Sequence, residues 1–214
     1  MRRPARAWLF AWAVVAAALI VLLSFGGALD QIFWRATRRW AGDPSKFYKA
    51  TSNLWIVLKA FGEPWMLAII AAFLAVYDRR HWLTAGGFGI ATALAGGLGW
   101  LLRILDGRYR PTHIDGASRW ELFRGFHDGR DLAFPSGHAT AAFAAAAVLA
   151  YLSPKGRWFF GSVAAGTALS RVIAGAHFYS DILFGAALGW TVSWFTIGYL
   201  DRLLTQAEEK RRDG

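Results

Sequence analysis

Three short stretches hold side chains able to do chemistry on an anion. They are Arg103 with Arg110-Pro111, then Pro135-Ser136-Gly137-His138, then Ser170-Arg171 followed by His177 and Asp181. Arginine stays charged and grips phosphate oxygens through a planar fork of donors. Arg103 and Arg110 are seven residues apart, which on a helix ending at Pro111 puts both on one face. Two arginines snorkelling at a helix end would look the same. Pro135 excludes helix before it, and Ser136 suits an N-cap, so the N–H groups of Gly137 and His138 open a helix and face an anion. Gly137 also permits close approach to the backbone. His177 and Asp181 are four apart, on one helical face. The carboxylate can fix the imidazole tautomer and leave the other nitrogen free to attack. Arg171 supplies a third cation. The set is equipment for holding a phosphate and breaking its ester without a metal or cofactor.

The elements that position these residues are apolar runs. Hydrophobic residues make up 56% of the 214, with 12 Trp and 16 Phe. The runs are about 15–22 residues long, enough to cross a hydrocarbon core of ~30 Å as helices. The fold class is therefore all-α: one membrane-embedded domain over residues 1–214, with six transmembrane helices. The net charge of +10 sits mostly in short connections between runs, which points to anionic lipid and away from nucleic acid. There is no cysteine, so disulfides and thiol chemistry are excluded.

In chain order, Ala7–Ala28 follows three arginines and reads as an uncleaved first span, too long for a signal core. Residues 30–60 are an extramembrane amphipathic segment of one or two helices. Ile32, Phe33, Ala36 and Trp40 lie on one face, and Arg35, Arg38 and Arg39 on the other. A plain helical hairpin without a lipid role fits equally. Pro64–Tyr77 continues a helix begun before Pro64, with a kink. Trp82–Leu105 is the third span, and its many glycines suggest close helix contacts. Ser136–Leu152, Trp158–Ala174 and Ile182–Leu200 complete the six, and 201–214 is an exposed charged tail. His113, His127, Asp115, Asp128 and Asp131 fall in the loop between motifs and read as solvated; His81 reads as interfacial. Six spans put both termini on one side. The tight basic turns at Arg79-Arg80 and Lys155–Arg157 make that side cytoplasmic. The three motifs then share the outer face.

At these residues the chain resembles the type 2 phosphatidic acid phosphatase family of integral membrane lipid phosphatases. That family shows Lys-x6-Arg-Pro, Pro-Ser-Gly-His and Ser-Arg-x5-His-x3-Asp. The counterparts here are Arg103-x6-Arg110-Pro111, Pro135-Ser136-Gly137-His138 and Ser170-Arg171-x5-His177-x3-Asp181, with Arg103 replacing the leading lysine. The resemblance implies His177 as nucleophile, through a phosphohistidine, and Asp181 as its support. His138 is implied as the acid that protonates the leaving oxygen and then activates water. Arg103, Arg110, Ser136, Gly137 and Arg171 are implied as the phosphate cradle. The physical reading agrees, because phosphoryl transfer needs positioning and charge neutralisation above all.

The expected function is a metal-independent lipid phosphatase of a bacterial cytoplasmic membrane, with undecaprenyl diphosphate as first choice of substrate. Phosphatidylglycerol phosphate or phosphatidate comes next, then lipid A. A lipid phosphotransferase and an inactive helix bundle are the alternatives.

Overall fold

The computed structural model describes residues 16, 27–40, 52–77, 82–114, 116–128 and 131–213. The described part is helical, with only two isolated antiparallel bridges, Arg108 with Trp120 and Tyr109 with Leu132. Helix α1 is seen over 27–40. It is followed by α2 (Ser52–Ala60), α3 (Pro64–Tyr77), α4 (Trp82–Asp106), α5 (Gly137–Leu152), α6 (Arg157–Ile173) and α7 (Tyr179–Asp213).

Six spans were expected, and the described residues give fewer by length and composition. Two helices are long and apolar enough to cross a membrane, Trp82–Asp106 and Tyr179–Leu203. A third span counts if Asn53–Ala60 and Pro64–Tyr77, bent by 59°, cross as one. At 1.5 Å per residue, the 16 residues of α5 reach roughly 24 Å, short of the hydrocarbon thickness. Helix α6 interrupts its apolar run with Gly161, Ser162, Gly166, Thr167 and Ser170. The first expected span lies mostly outside the described residues, as do His81 and Asp115. Asp201, Arg202 and Glu209 of the charged tail are exposed. Residues 201–213 continue α7 as helix, because Leu203 to Arg212 holds helix-favouring residues and no breaker.

Helix α5 forms the centre. Its residues are mostly alanine, and Ala139, Ala142, Ala144 and Ala145 are fully buried. Small side chains let neighbouring backbones come near, which is how helices associate where lipid offers no hydrophobic contrast. Gly185 and Gly189 of α7 lie one turn apart on this seam. A Cβ at Gly189 would stand 2.1 Å from the Thr140 carbonyl oxygen, and one at Gly185 2.8 Å from that of Ser136. The glycines of α4 behave differently from expectation. Only Gly87, against Leu200, and Gly99, against Thr140, meet another helix. Gly86, Gly89, Gly96 and Gly97 face open space, and the last three line a groove of about 550 Å³ between α3, α4 and α5.

Gly189→Ala should therefore force α5 and α7 apart. Overpacking of this kind costs about 1–3 kcal/mol. The detergent-solubilised variant should melt below the wild type, and an unchanged Tm would contradict the seam.

Candidate active site

Four helix ends meet at one end of the bundle: the C-termini of α4 and α6, and the N-termini of α5 and α7. Arg103 stands in the last turn of α4 and donates from Nη2 to the Pro135 carbonyl at 2.9 Å. A Cβ on Gly137 would sit 2.6 Å from that same nitrogen, so the glycine lets the guanidinium lie across the start of α5. The Ser136 N–H donates to the Asp181 backbone carbonyl at 3.1 Å, joining the beginnings of α5 and α7. Arg171 lies in the last turn of α6, within electrostatic reach of His138 and His177.

Arg110 reaches this end differently from expectation. Helix α4 stops at Asp106 because Gly107 adopts φ +62°, a left-handed C-terminal stop, with its N–H on the Arg103 carbonyl. Arg110 is therefore extended and not on the helix. Its N–H bonds the Asp131 carbonyl at 3.1 Å, and its charge acts on Arg103. Ser136 does occupy the N-cap position, but its hydroxyl makes no capping bond. His177 precedes α7, so the pair with Asp181 is not two residues on one helix; Gly175, at φ +75°, turns the chain first. His177 Nδ1 stands 3.7 Å from Asp181 Oδ2, longer than a hydrogen bond.

Asp181 is held elsewhere. Its Oδ2 accepts the Phe178 N–H at 2.7 Å, the return half of a capping box, and its Oδ1 accepts from Arg108 at 2.5 Å. Sequence reasoning passed over Arg108, which is fully buried between the Trp120 and Phe178 rings. The same guanidinium bonds Asp30 of α1 at 2.8 Å and Ser180 Oγ at 2.6 Å. Asp30 in turn accepts the Ser180 N–H at 3.1 Å and the Ser180 hydroxyl. Both residues carried a signal: a third arginine inside the Arg103–Arg110 interval, and a carboxylate closing an apolar run. Glu63 was missed as well. Its Oε1 lies 3.0 Å from His138 Nε2.

Of the loop residues, His113 and His127 are exposed, His113 near Asp131 at 3.4 Å, and Asp128 pairs with Arg124. At the centre, Arg103 Nε, Ser136 Oγ and His177 Nδ1 are buried without a hydrogen-bond partner among the described residues. Buried polar atoms are normally satisfied, and two of these are donors that match an anion's oxygens.

The sequence profile of the PAP2 superfamily matches residues 84–204, more than half of the chain and every motif above. The chain belongs to the PAP2 superfamily. It is 36% identical over 140 residues to a decaprenylphosphoryl-5-phosphoribose phosphatase of Mycobacterium tuberculosis, covering 63% of this chain and 72% of the relative. A lipid A 1-phosphatase of Rhizobium johnstonii is 37% identical over 99 residues, 45% of this chain and 38% of the relative. The fold resembles the crystal structure of a transmembrane PAP2-type phosphatidylglycerolphosphate phosphatase from Bacillus subtilis. The TM-score is 0.59 at 20% identity, over 92% of this chain and 95% of that one. Asp30 and Glu63 precede the segment matched by the superfamily.

Burial pushes the His177 imidazole down to about 4; Asp181 opposes this, while Arg103 and Arg171 add to it. The ring is thus neutral at pH 7. An unfolded histidine titrates near ~6.5. Between that value and about 4 the unfolded chain binds a proton that the folded chain refuses, so this group makes stability rise with pH across the window. His177→Phe should flatten the acid loss of stability between those limits, measured as Tm against pH in detergent. An unchanged slope would contradict the burial of a neutral ring.

Proposed function

We propose that this protein hydrolyses a phosphate from a membrane lipid through a phosphohistidine on His177. The observation that carries the reading is the convergence of Arg103, Ser136, Gly137 and His177 at meeting helix ends, with buried polar atoms left for an anion. His177 attacks phosphorus, and Asp181 stabilises the charge that develops on the ring. The guanidiniums of Arg103, Arg110 and Arg171 hold the equatorial oxygens with Ser136 and the first N–H groups of α5. His138 protonates the departing oxygen and then takes a proton from water.

A polyprenyl-linked phosphate is the substrate class proposed. Undecaprenyl diphosphate and the decaprenylphosphoryl-5-phosphoribose in the relative's name share such a tail. The groove between α3, α4 and α5 supports a lipid. It is lined by Leu67, Ala71, Ala93 and the α4 glycines, and it touches Arg103, Gly137 and His138 at the same time. A chain lying there keeps its tail among apolar residues with its phosphate at the helix ends. Phosphatidylglycerol phosphate, phosphatidate and lipid A are the other members of the test panel. The proposed orientation puts the site on the periplasmic face of a bacterial inner membrane and both termini in the cytoplasm.

The reaction proposed needs no metal, because the guanidiniums and the first N–H groups of α5 neutralise the charge on the transferring phosphoryl group. Phosphate release should therefore persist in EDTA and be greatest on a polyprenyl substrate. His177→Ala should abolish it, and His138→Ala should lower it by about 100- to 10,000-fold on lipid phosphates. Activity that survives in both variants would refute the proposal. Transfer of phosphate to an added alcohol in place of water would favour the phosphotransferase reading.

A further inference from the structure

The break between α2 and α3 is shaped around His138. Phe61-Gly62-Glu63-Pro64 joins two helices bent by 59°. A Cβ at Gly62 would stand 2.7 Å from the His138 carbonyl oxygen and 3.0 Å from its Cα. Glycine thus lets the break rest directly on the first turn of α5. The next residue, Glu63, then brings Oε1 to 3.0 Å from His138 Nε2. Lys59, one turn earlier on α2, holds the same oxygen at 2.8 Å. The carboxylate is therefore anchored from one side and aimed at the imidazole from the other. Glu63 and His138 side chains are 25% and 24% exposed, and both line the groove, so substrate and water can reach the pair.

We propose that Glu63 is a positioning residue for proton transfer: it holds His138 by Nε2 and leaves Nδ1 to serve the leaving oxygen. A carboxylate on one imidazole nitrogen fixes ring orientation and determines which nitrogen handles the proton. The inference rests on the phosphatase reading, with His138 as its acid. In the first half-reaction the phosphorus–oxygen ester bond breaks as the bond from His177 to phosphorus forms. The electron pair leaves with the oxygen, which takes its proton from His138. In the second half, water gives a proton to His138 as its oxygen displaces His177 from phosphorus. Glu63 makes and breaks no covalent bond. It acts only through His138, as Asp181 acts through His177.

Leaving-group dependence separates this role from a purely structural one. Short-chain phosphatidate loses its diacylglycerol as an alkoxide, which needs the proton. p-Nitrophenyl phosphate loses a weakly basic phenolate, which needs it much less. In Glu63→Gln, the ratio of kcat/KM on phosphatidate to kcat/KM on p-nitrophenyl phosphate, which reports only the steps up to departure of the leaving group, should fall at least about 10-fold. Glu63→Asp, which keeps the charge but shortens the reach, should show a smaller fall of the same kind and carries the test if the glutamine variant does not fold. His138→Ala should show a larger fall in the same ratio. Equal losses on both substrates in the Glu63 variants, or no loss, with the split intact in His138→Ala, would overturn the role of Glu63 and leave the phosphatase reading standing. No split in His138→Ala would overturn both the acid role of His138 and the inference built on it. Hydrolysis retained in His177→Ala would sink the phosphatase reading itself.

Discussion

One buried guanidinium governs this end of the molecule. Arg108 is shared by two carboxylates, Asp30 from α1 and Asp181 from α7, and all three groups are inaccessible to solvent. Their charges sum to −1, offset by the Ser180 and Phe178 N–H groups at the positive end of α7. Charges taken out of water are tolerable only when paired and hydrogen-bonded, and removing one partner from such a group typically costs about 3–5 kcal/mol. The consequence is positional. With Oδ1 on Arg108 and Oδ2 on the Phe178 N–H, Asp181 has little freedom to rotate, so the oxygen facing His177 is fixed. The same interaction ties α1 to the start of α7, across 150 residues of chain.

The remaining geometry follows from where helices are made to stop and start. Gly107 ends α4 and releases the following segment to run back beneath the loop, carrying Arg108 inward and Arg110 to the site. Pro135 precedes the Ser136 N-cap of α5, and Gly137 leaves room for Arg103 over the first turn. Small residues along α5 and α7 then hold those ends at backbone contact distance. Cations and helix N-termini converge before any substrate arrives, which is the preorganisation that phosphoryl transfer uses.

Much of this was legible in the sequence. Apolar runs located α4, α5 and α6 and the start of α7 to within a few residues, though not the far end of α7, and the three motifs came to one end as the alternation of helix ends requires. Local helical periodicity misled in two places. It put Arg110 on α4, which Gly107 in the left-handed region stops between Arg103 and Arg110, and it put His177 on one helix with Asp181, although α7 begins only at Tyr179. Arg108 was hidden for a different reason. A spacing pattern treats the residues between its fixed positions as filler, and a long-range pair to Asp30 leaves no local periodicity. Glu63 was obscured by the break it sits in, where attention falls on Gly62 and Pro64 as helix breakers. The α4 glycines were read as contact residues, yet most of them form the wall of a groove. A single helix cannot tell which of its small faces meets a partner.

The covalent intermediate is the central claim, and it can be trapped. In His138→Ala the first half-reaction still proceeds with p-nitrophenyl phosphate, while water activation in the second half is crippled. Phosphate should therefore accumulate on the enzyme. Peptide mass spectrometry after an alkaline quench should find one phosphate, on His177, absent when His177 is also replaced. Phosphate on another residue, or none while the wild-type protein turns over the same substrate, would contradict the account.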